Sequence, residues 1–351
     1  MSDDLEDLKK KQQTRLELEK ILSDPVFQGL FQGVSKKLYG KTFTHLNLIT
    51  VNKVQNIGSR GFKLVSATFK CEHGPFTVNL GLKELQNNSE AMQYADSLDK
   101  LSTKLVESRS PNIRVPRVLT ILDNILVFEG ITANSYEETQ LGEKNKLVFA
   151  GELLSSFHGD LWTKVKLNYA MLVDSVVQKL PVPRERKEKL LITSRKPIQE
   201  IKDSWGGTMG FGNFEKAHLL FSPKGTIGYL VDPLYQQQLV VCRLEDVASF
   251  FRNSAIEEWK KTESLSTTFE NWNVFKQGYD RQLQKFGISL TDTYNNKHDS
   301  VFYFHLGMNA LLEATFVLKQ YAHKLDEDSV LDYLSKLVAL ARFSWKECSS
   351  F

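Results

Sequence analysis

The sequence predicts an α+β protein in which a small antiparallel β-sheet precedes a larger, mainly helical part. Strand-like runs separated by short turns concentrate between about residues 43 and 131. An apolar helical run follows at 147–158, and long amphipathic patterns at 301–322 and 329–345. At 351 residues, the chain is long enough for two parts that each bury a core of their own.

Composition and charge place the chain among ordinary globular proteins. It is 41% hydrophobic and 25% charged, and its formal net charge of +3 is too small to indicate a nucleic-acid or membrane partner. The basic stretch 184–196 contains no aromatic residues, so it predicts a solvated helix face, with a contact for an anionic substrate or nucleic acid as the alternative. We therefore expect neither nucleic acid nor membrane among the partners.

The cysteines and the N-terminus favour a cytoplasmic protein. Cys71, Cys242 and Cys348 are far apart, odd in number and without metal-ligand spacing, which predicts buried thiols in a reducing compartment. The sequence shows no apolar leader and no run of membrane-spanning length.

Three regions follow from these patterns. Residues 1–40 form a helical extension that Asp24-Pro25 breaks in two, and we expect it to pack on the first lobe or to lie across both lobes. Residues 41–132 form the β-sheet lobe with one helix, from Ser89 as its cap to Val106. Residues 133–351 form the helical lobe, which we expect to include a catalytic-type hairpin at 210–233 and a helical stretch at 164–199.

A hairpin at 210–233 is the feature around which the candidate site is organised. A polar loop leads into the apolar run Leu219-Leu220-Phe221, a turn at Ser222–Gly225, and a second strand that ends in Asp232-Pro233. Two short paired strands would bring Asn213, His218 and Asp232 together. An Asp at the end of a buried strand is well placed to present a carboxylate to a metal.

Four passages of this chain resemble the aminoglycoside phosphotransferase and choline kinase family, which has the protein-kinase-like fold. They are the hairpin, the pair Val115-Pro116-Arg117-Val118-Leu119 and Leu126-Val127-Phe128-Glu129-Gly130-Ile131, the helix start Asp246-Val247-Ala248, and Phe275-Lys276-Gln277-Gly278-Tyr279. The resemblance covers about residues 45–350. It implies two lobes, with an antiparallel β-sheet N-lobe that binds nucleotide and a larger, mainly helical C-lobe.

The resemblance also implies roles for the residues of the hairpin. Asn213 stands at the family's catalytic Asp, His218 at its metal-binding Asn, and Asp232 at its metal-binding Asp. Asp232 suits Mg²⁺, whereas an imidazole at 218 suits Mn²⁺ or zinc better. Asn213 can hydrogen-bond a substrate hydroxyl but cannot take its proton, so the catalytic loop is degenerate.

The same resemblance assigns a nucleotide site to the β-sheet lobe. The residues implied are Gly58, Gly61, Lys83, Glu90, Phe128 and Glu129. A hairpin turn explains the two glycines equally well, and a surface position explains Lys83 equally well. Glu90 is favoured over Asp96 and Asp99 as the acid that pairs with Lys83.

A second copy of the family's catalytic motif occurs at His158-Gly159-Asp160-Leu161-Trp162. Three observations argue against it: it follows the hinge too soon, a helix rather than a strand precedes it, and Val165 stands where an Asn is needed. Asp160 is retained as a backup catalytic residue.

Two functions follow from the resemblance. The first is a divergent phosphotransferase that uses ATP with Mg²⁺ or Mn²⁺ to phosphorylate a hydroxyl of a small molecule, with Asp160, Asp203 or Glu215 supplying the acid. The alternative is a pseudokinase that binds nucleotide or a protein partner without catalysis. A carboxylate beside Asp232, in place of Asn213, would separate the two. A structural protein without a cleft function is the third reading.

Overall fold

The computed structural model describes residues 2–40, 43, 45–57, 61–107, 112–131, 133–160, 162–180, 182–201, 205–212, 214–232, 240–321 and 327–349. By internal contacts the chain divides into two compact units. Unit 1 comprises Met1–Thr139 and Ala217–Asp232, and unit 2 comprises Gln140–Lys216 and Pro233–Phe351. The lobe boundaries predicted from the sequence, at 40 and 132, stay a prediction.

The helices and strands follow one another along the chain in the order given next. In chain order they are α1 (Ser2–Ser23), α2 (Pro25–Tyr39), β1 (Asn47–Ile57), β2 (Phe62–Cys71), β3 (Gly74–Glu84), α3 (Asn88–Glu107), β4 (Ile113–Arg114), β5 (Val118–Leu122), β6 (Ile125–Glu129), β7 (Asn134–Ser135), α4 (Glu143–Asp160), β8 (Trp162–Lys166), α5 (Tyr169–Lys179), α6 (Arg184–Ile201), β9 (Trp205–Met209), a 3₁₀ turn (Lys216–His218), β10 (Leu219–Phe221), β11 (Gly228–Leu230), β12 (Val240–Val241), α7 (Arg243–Thr262), α8 (Ser266–Gln284), α9 (Leu290–Tyr294), α10 (His298–Tyr321) and α11 (Glu327–Cys348).

Unit 1 is built on a five-stranded antiparallel sheet with the strand order β1-β2-β3-β6-β5. Alternation along β3 turns Val78, Leu80 and Leu82 into one core and leaves Gly81 and Lys83 on the opposite face. The predicted α+β class, with a β-sheet part and a mainly helical part, is confirmed.

The two N-terminal helices pack on this sheet. Leu18, Leu22, Phe27 and Phe31 are buried in the same core as Phe69 of β2. The rings of Phe27 and Phe31 lie 6.4 and 6.2 Å from the Phe69 ring, both in stacked orientation. Of the two placements expected for the extension, the structure shows the one on the sheet.

The predicted hairpin is present and belongs to unit 1. Strands β10 and β11 pair antiparallel, with Leu219 opposite Leu230, and the Gly225 amide donates to the Ser222 carbonyl at 2.7 Å to close the turn. The hairpin is completed by β7, antiparallel to β10, and by β4, parallel to β11. Segments from three distant parts of the chain therefore hold the strand end from which Asp232 emerges.

Unit 2 is mainly helical, and glycines allow two of its helices, α4 and α8, to cross at short range. A Cβ on Gly278 of α8 would lie 2.0 Å from the Val148 carbonyl oxygen, and one on Gly151 of α4 would lie 2.3 Å from that of Phe275. The absence of side chains at both positions allows α4 and α8 to pack backbone against backbone. The Gly278 of the Phe-x-x-Gly-Tyr passage thus has a packing role.

The helix predicted over 164–199 is wrong at its start. Residues 162–166 form β8, which pairs antiparallel with β9, and β12 completes a three-stranded sheet. Helices α5 and α6 begin later, at Tyr169 and Arg184. The strand depends on a partner about 40 residues further along the chain, so periodicity within 164–199 did not indicate it.

The remaining global predictions concern thiols and membrane spans. Cys71, Cys242 and Cys348 are free and buried, as the sequence predicts. Across the described ranges, no helix has both the length and the apolar character needed to cross a bilayer.

Candidate active site

Lys83 occupies the end of β3 and is almost fully buried, with 5% of its surface exposed. It lies opposite Phe62 of β2 and Leu126 of β6. Its ammonium group forms an ion pair with the carboxylate of Asp232. The surface-lysine reading of this residue is therefore wrong, because the strand delivers the charge into the interior of unit 1.

Asp232 follows directly after β11 and is 3% exposed. Its φ of 60° lies in the left-handed region, which is uncommon for a residue with a side chain. The Val231 amide donates to the His218 carbonyl at 3.0 Å, so the two ends of the hairpin meet beside Asp232. The structure thus brings together Lys83 and Asp232, two residues singled out from the sequence.

Tyr94 of α3 is the third member of this cluster. Its hydroxyl donates to the Asp232 carboxylate at 3.3 Å, and the Lys83 ammonium lies 5.0 Å from the centre of its ring. The buried face of α3 carries Ala91, Tyr94, Leu98 and Leu101, a helical spacing that is visible in the sequence. That spacing could have identified Tyr94.

Glu90, the acid predicted to pair with Lys83, lies elsewhere. Its carboxylate accepts a hydrogen bond from the Gln86 amide at 2.9 Å, at the start of α3. The predicted cap is also displaced: Asn87, not Ser89, precedes the helix and accepts from the Glu90 amide at 2.9 Å. Asn87 offers a better-placed side-chain oxygen because Ser89 already lies inside the first turn.

A second arrangement lies in unit 2, at the loop that precedes residue 213. The Asp246 carboxylate, at the start of α7, accepts the backbone amides of Phe211 at 2.6 Å and Gly212 at 2.9 Å. Gly212 has a φ of 73°, which a residue without Cβ adopts without strain. Asp246 thereby fixes the backbone on the N-terminal side of Asn213.

His158 forms a buried hydrogen bond with the Asp246 carboxylate. Its Nε2 lies 3.1 Å from the Asp246 carboxylate, and its Nδ1 lies 2.5 Å from the Tyr279 hydroxyl. Burial lowers the pKa of His158, against the opposing effect of Asp246, so the neutral ring predominates at pH 7. Nε2–H then donates to Asp246, and Nδ1 accepts from Tyr279.

This arrangement explains the second copy of the motif. His158, Gly159 and Asp160 form the last turn of α4, and a Cβ on Gly159 would lie 2.4 Å from the Phe286 ring. His158 is an interior residue of unit 2 that braces Asp246. The side chain of Asp160 lies outside the described residues, and its backup role stays a prediction.

The other predicted site residues fall in different surroundings. Gly61 lies in the β1–β2 turn with a φ of 79°. The Phe128 ring lies 5.1 Å from that of Phe62, and the Glu129 carboxylate accepts the Arg117 amide at 3.2 Å. Their nucleotide roles stay predictions. Asn213, Gly58 and Asp203 lie outside the described residues.

Glu215, one of the acids considered for proton transfer, is held in an ion pair. Its carboxylate lies 2.7 Å from the Arg252 guanidinium, and both side chains are about 15% exposed. Arg252 also approaches Glu313 at 3.7 Å. The Glu215 carboxylate is therefore already engaged by a guanidinium in unit 2.

The donor set fits a metal that arrives together with phosphates. Within the part of the chain that the structure describes, no three His, Cys, Asp or Glu side chains cluster as metal ligands. Mg²⁺ commonly binds through one or two carboxylates together with substrate phosphates, and Asp232 offers one such carboxylate. His218 is fully buried, so its predicted metal role stays a prediction.

No family model and no curated protein matches this sequence. Solved structures do. A protein of Ralstonia eutropha JMP134, provisionally assigned as an aminoglycoside phosphotransferase, has a TM-score of 0.53 and 8% identity over 92% of this chain and 98% of its own. An ethanolamine kinase of Plasmodium vivax has a TM-score of 0.47 and 12% identity, and the match covers 83% of this chain and 81% of the kinase. A spectinomycin phosphotransferase, solved with ADP and spectinomycin, has a TM-score of 0.43 and 13% identity, and the match covers 91% of this chain and 98% of that phosphotransferase.

Of these three likenesses, the first exceeds a TM-score of 0.5, and at 8% identity it bears on the fold alone. It agrees with the five-stranded antiparallel sheet of unit 1 and the mainly helical unit 2. The chain therefore has the protein-kinase-like fold in the form known from aminoglycoside phosphotransferases.

Proposed function

We propose that this protein is a divergent ATP-dependent phosphotransferase that acts on a hydroxyl group of a small molecule. The observation that carries the proposal is the buried pair of Lys83 and Asp232, which puts one ammonium and one carboxylate side by side. Phosphoryl transfer requires little covalent chemistry from the protein beyond positioning the phosphates and neutralising their charge. These two groups supply the charges that such a reaction needs.

Each residue has a defined task in this proposal. Lys83 binds a phosphate oxygen as a point charge, and Asp232 holds a divalent cation, Mg²⁺ or Mn²⁺, on the phosphates. When bound, the cation neutralises charge that develops on the transferred group. Asp246 fixes the backbone of residues 211 and 212, directly before Asn213, which the resemblance puts at the family's catalytic position.

The alternative is a pseudokinase that binds nucleotide or a protein partner without phosphate transfer. The identity of residue 213 favours it, because an amide cannot accept the proton of the acceptor hydroxyl. General-base catalysis contributes about a hundredfold or more, so its absence leaves a slow reaction. Glu215 does not supply a ready substitute while it is paired with Arg252.

Thermal unfolding with and without ATP, in Mg²⁺, in Mn²⁺ and in EDTA, tests nucleotide binding. We expect ATP with a divalent cation to raise the Tm. At a free ATP concentration one hundred times Kd, binding stabilises the folded state by about 2.7 kcal/mol. The metal-dependent part of that shift should vanish in Asp232→Ala. A matched control is Asp96→Ala, which removes an exposed carboxylate of unit 1 paired with Lys100 and should retain the full shift.

The outcomes separate the two functions. Metal-dependent stabilisation followed by phosphate transfer to any of a panel of sugar, amino-alcohol and aminoglycoside acceptors supports the phosphotransferase. Stabilisation without transfer to any acceptor supports the pseudokinase. No shift with any nucleotide or metal overturns nucleotide binding and leaves a protein partner as the function to pursue.

A further inference from the structure

Lys83, Asp232 and Tyr94 form a buried cluster. The exposed fractions of these residues are 5%, 3% and 8%. The Lys83 ammonium pairs with the Asp232 carboxylate and lies over the Tyr94 ring. A ligand that recruits either charge must therefore open this cluster.

Opening it with a phosphate alone is unfavourable. A phosphate oxygen that binds Lys83 would stand beside the buried carboxylate of Asp232, and two neighbouring anions in a poorly hydrated site repel strongly. A divalent cation on Asp232 removes that repulsion and at the same time releases Lys83 for the phosphate. The cluster thus accepts a nucleotide and a cation together and rejects the bare nucleotide.

Tyr94 has a distinct part in this exchange. When Asp232 turns to a cation, the buried ammonium loses its carboxylate partner, but the face of the Tyr94 ring stays within cation–π distance. The hydroxyl of the same side chain keeps Asp232 within reach of its former position. Tyr94 therefore contacts both Lys83 and Asp232 before and after a cation binds.

We propose that Tyr94 is the positioning residue of this site and that the Lys83–Asp232 pair is a lock that nucleotide opens only with a divalent cation. The proposal rests on the proposed function, because it specifies how the same two residues bind ATP. The α3 acids considered as partners of Lys83 do not fill this place: Glu90 accepts from the Gln86 amide, Asp96 pairs with Lys100, and Asp99 is exposed.

Calorimetric titration with ATP in Mg²⁺ and in EDTA tests the lock. The wild type should bind at least about tenfold more tightly in Mg²⁺, and Asp232→Asn should bring that ratio close to one. Tyr94→Phe keeps the ring and should stay within about threefold of the wild type in Mg²⁺. Tyr94→Leu removes the ring and should weaken binding about tenfold or more.

The matched control is Tyr333→Leu. Lys260 lies 4.4 Å from the centre of the Tyr333 ring, a contact of the same kind in unit 2, and its loss should leave the affinity for ATP unchanged. Equal binding by the wild type in EDTA and in Mg²⁺ overturns the lock. Wild-type affinity in Tyr94→Leu overturns the role of Tyr94.

A ligand-free measurement separates this inference from the proposed function. Urea unfolding of Lys83→Met, Tyr94→Leu and the double variant gives the coupling between the two side chains. If the two substitutions acted independently, their effects on the unfolding equilibrium constant would multiply. We expect the constant of the double variant to be about fivefold or more below that product. Independent effects overturn the positioning role whatever the nucleotide result. If the wild type binds no ATP at all, the proposed function and the lock both fail, and this coupling still decides the role of Tyr94.

Discussion

The substitution Asp246→Asn tests the hydrogen bonds that hold the loop before residue 213. The wild-type carboxylate accepts three of them, from the amides of Phe211 and Gly212 and from Nε2 of His158, at 2.6, 2.9 and 3.1 Å. An asparagine of the same shape has one oxygen and one NH₂ group. In its better orientation, the oxygen keeps Phe211 and His158, and the NH₂ group faces the Gly212 amide.

The expected cost follows from this count. One hydrogen bond to a charged acceptor is lost, which costs about 1.5–3 kcal/mol. The two that remain lose their charge assistance, and such bonds are roughly half as strong. At the lower end of these ranges the sum is about 3 kcal/mol, and the buried Gly212 amide is left opposite another donor.

Two measurements check this value. Urea unfolding should show a loss of about 3 kcal/mol in the free energy of unfolding, and the Phe211 and Gly212 amides should exchange with solvent much faster than in the wild type. Asp332→Asn is the control, because it changes an exposed carboxylate paired with Lys336 and should cost less than about 0.5 kcal/mol. A loss below about 1 kcal/mol with unchanged exchange of both amides would refute the role assigned to Asp246.

Two further predictions concern the interior of unit 2. Gly278→Ala should destabilise the protein by about 3 kcal/mol or more in urea unfolding, because its Cβ would lie 2.0 Å from the Val148 carbonyl oxygen; Gly142→Ala, with no atom within 4 Å of its Cβ, should be nearly neutral, and equal effects would contradict the close crossing of α4 and α8. Burial lowers the pKa of His305 to about 3, so the folded state resists protonation, and stability should be lost as the pH falls below about 6.5. Between pH 7 and pH 5 this one histidine should cost about 2 kcal/mol of unfolding free energy, and the loss should be that much smaller in His305→Leu; an identical acid profile in both proteins would rule out this assignment.

The parts of the site that were predicted correctly depend on local sequence patterns. The hairpin that ends in Asp232 could be predicted because two short apolar runs flank a turn with Ser222 and Gly225. Lys83 was singled out by the resemblance, as the lysine at the end of the third strand, and its nucleotide role stays a prediction. For the hairpin, the turn residues and the apolar runs beside them suffice.

The parts that were missed depend on contacts between distant residues. The partner of Lys83 lies 149 positions further along the chain, and the two amides bound by Asp246 lie 34 and 35 positions before it. The predicted partners of Lys83 on α3 were acids and not Tyr94, although an aromatic ring also stabilises a buried ammonium. Pairings at such separations have no periodic signature in a single sequence.

The late position of residues 217–232 in the chain has a consequence for the order of folding. Strands β4 and β7 have their partners in β10 and β11, so a chain that has emerged only as far as residue 139 carries these strand edges unpaired and Lys83 without its carboxylate. Closing so large a loop has an entropic cost before any contact compensates it, and domains dominated by distant contacts fold slowly. During synthesis, unit 1 must therefore wait for about 80 residues of unit 2 to leave the ribosome before its four-stranded sheet β4-β11-β10-β7 and its ion pair can be completed.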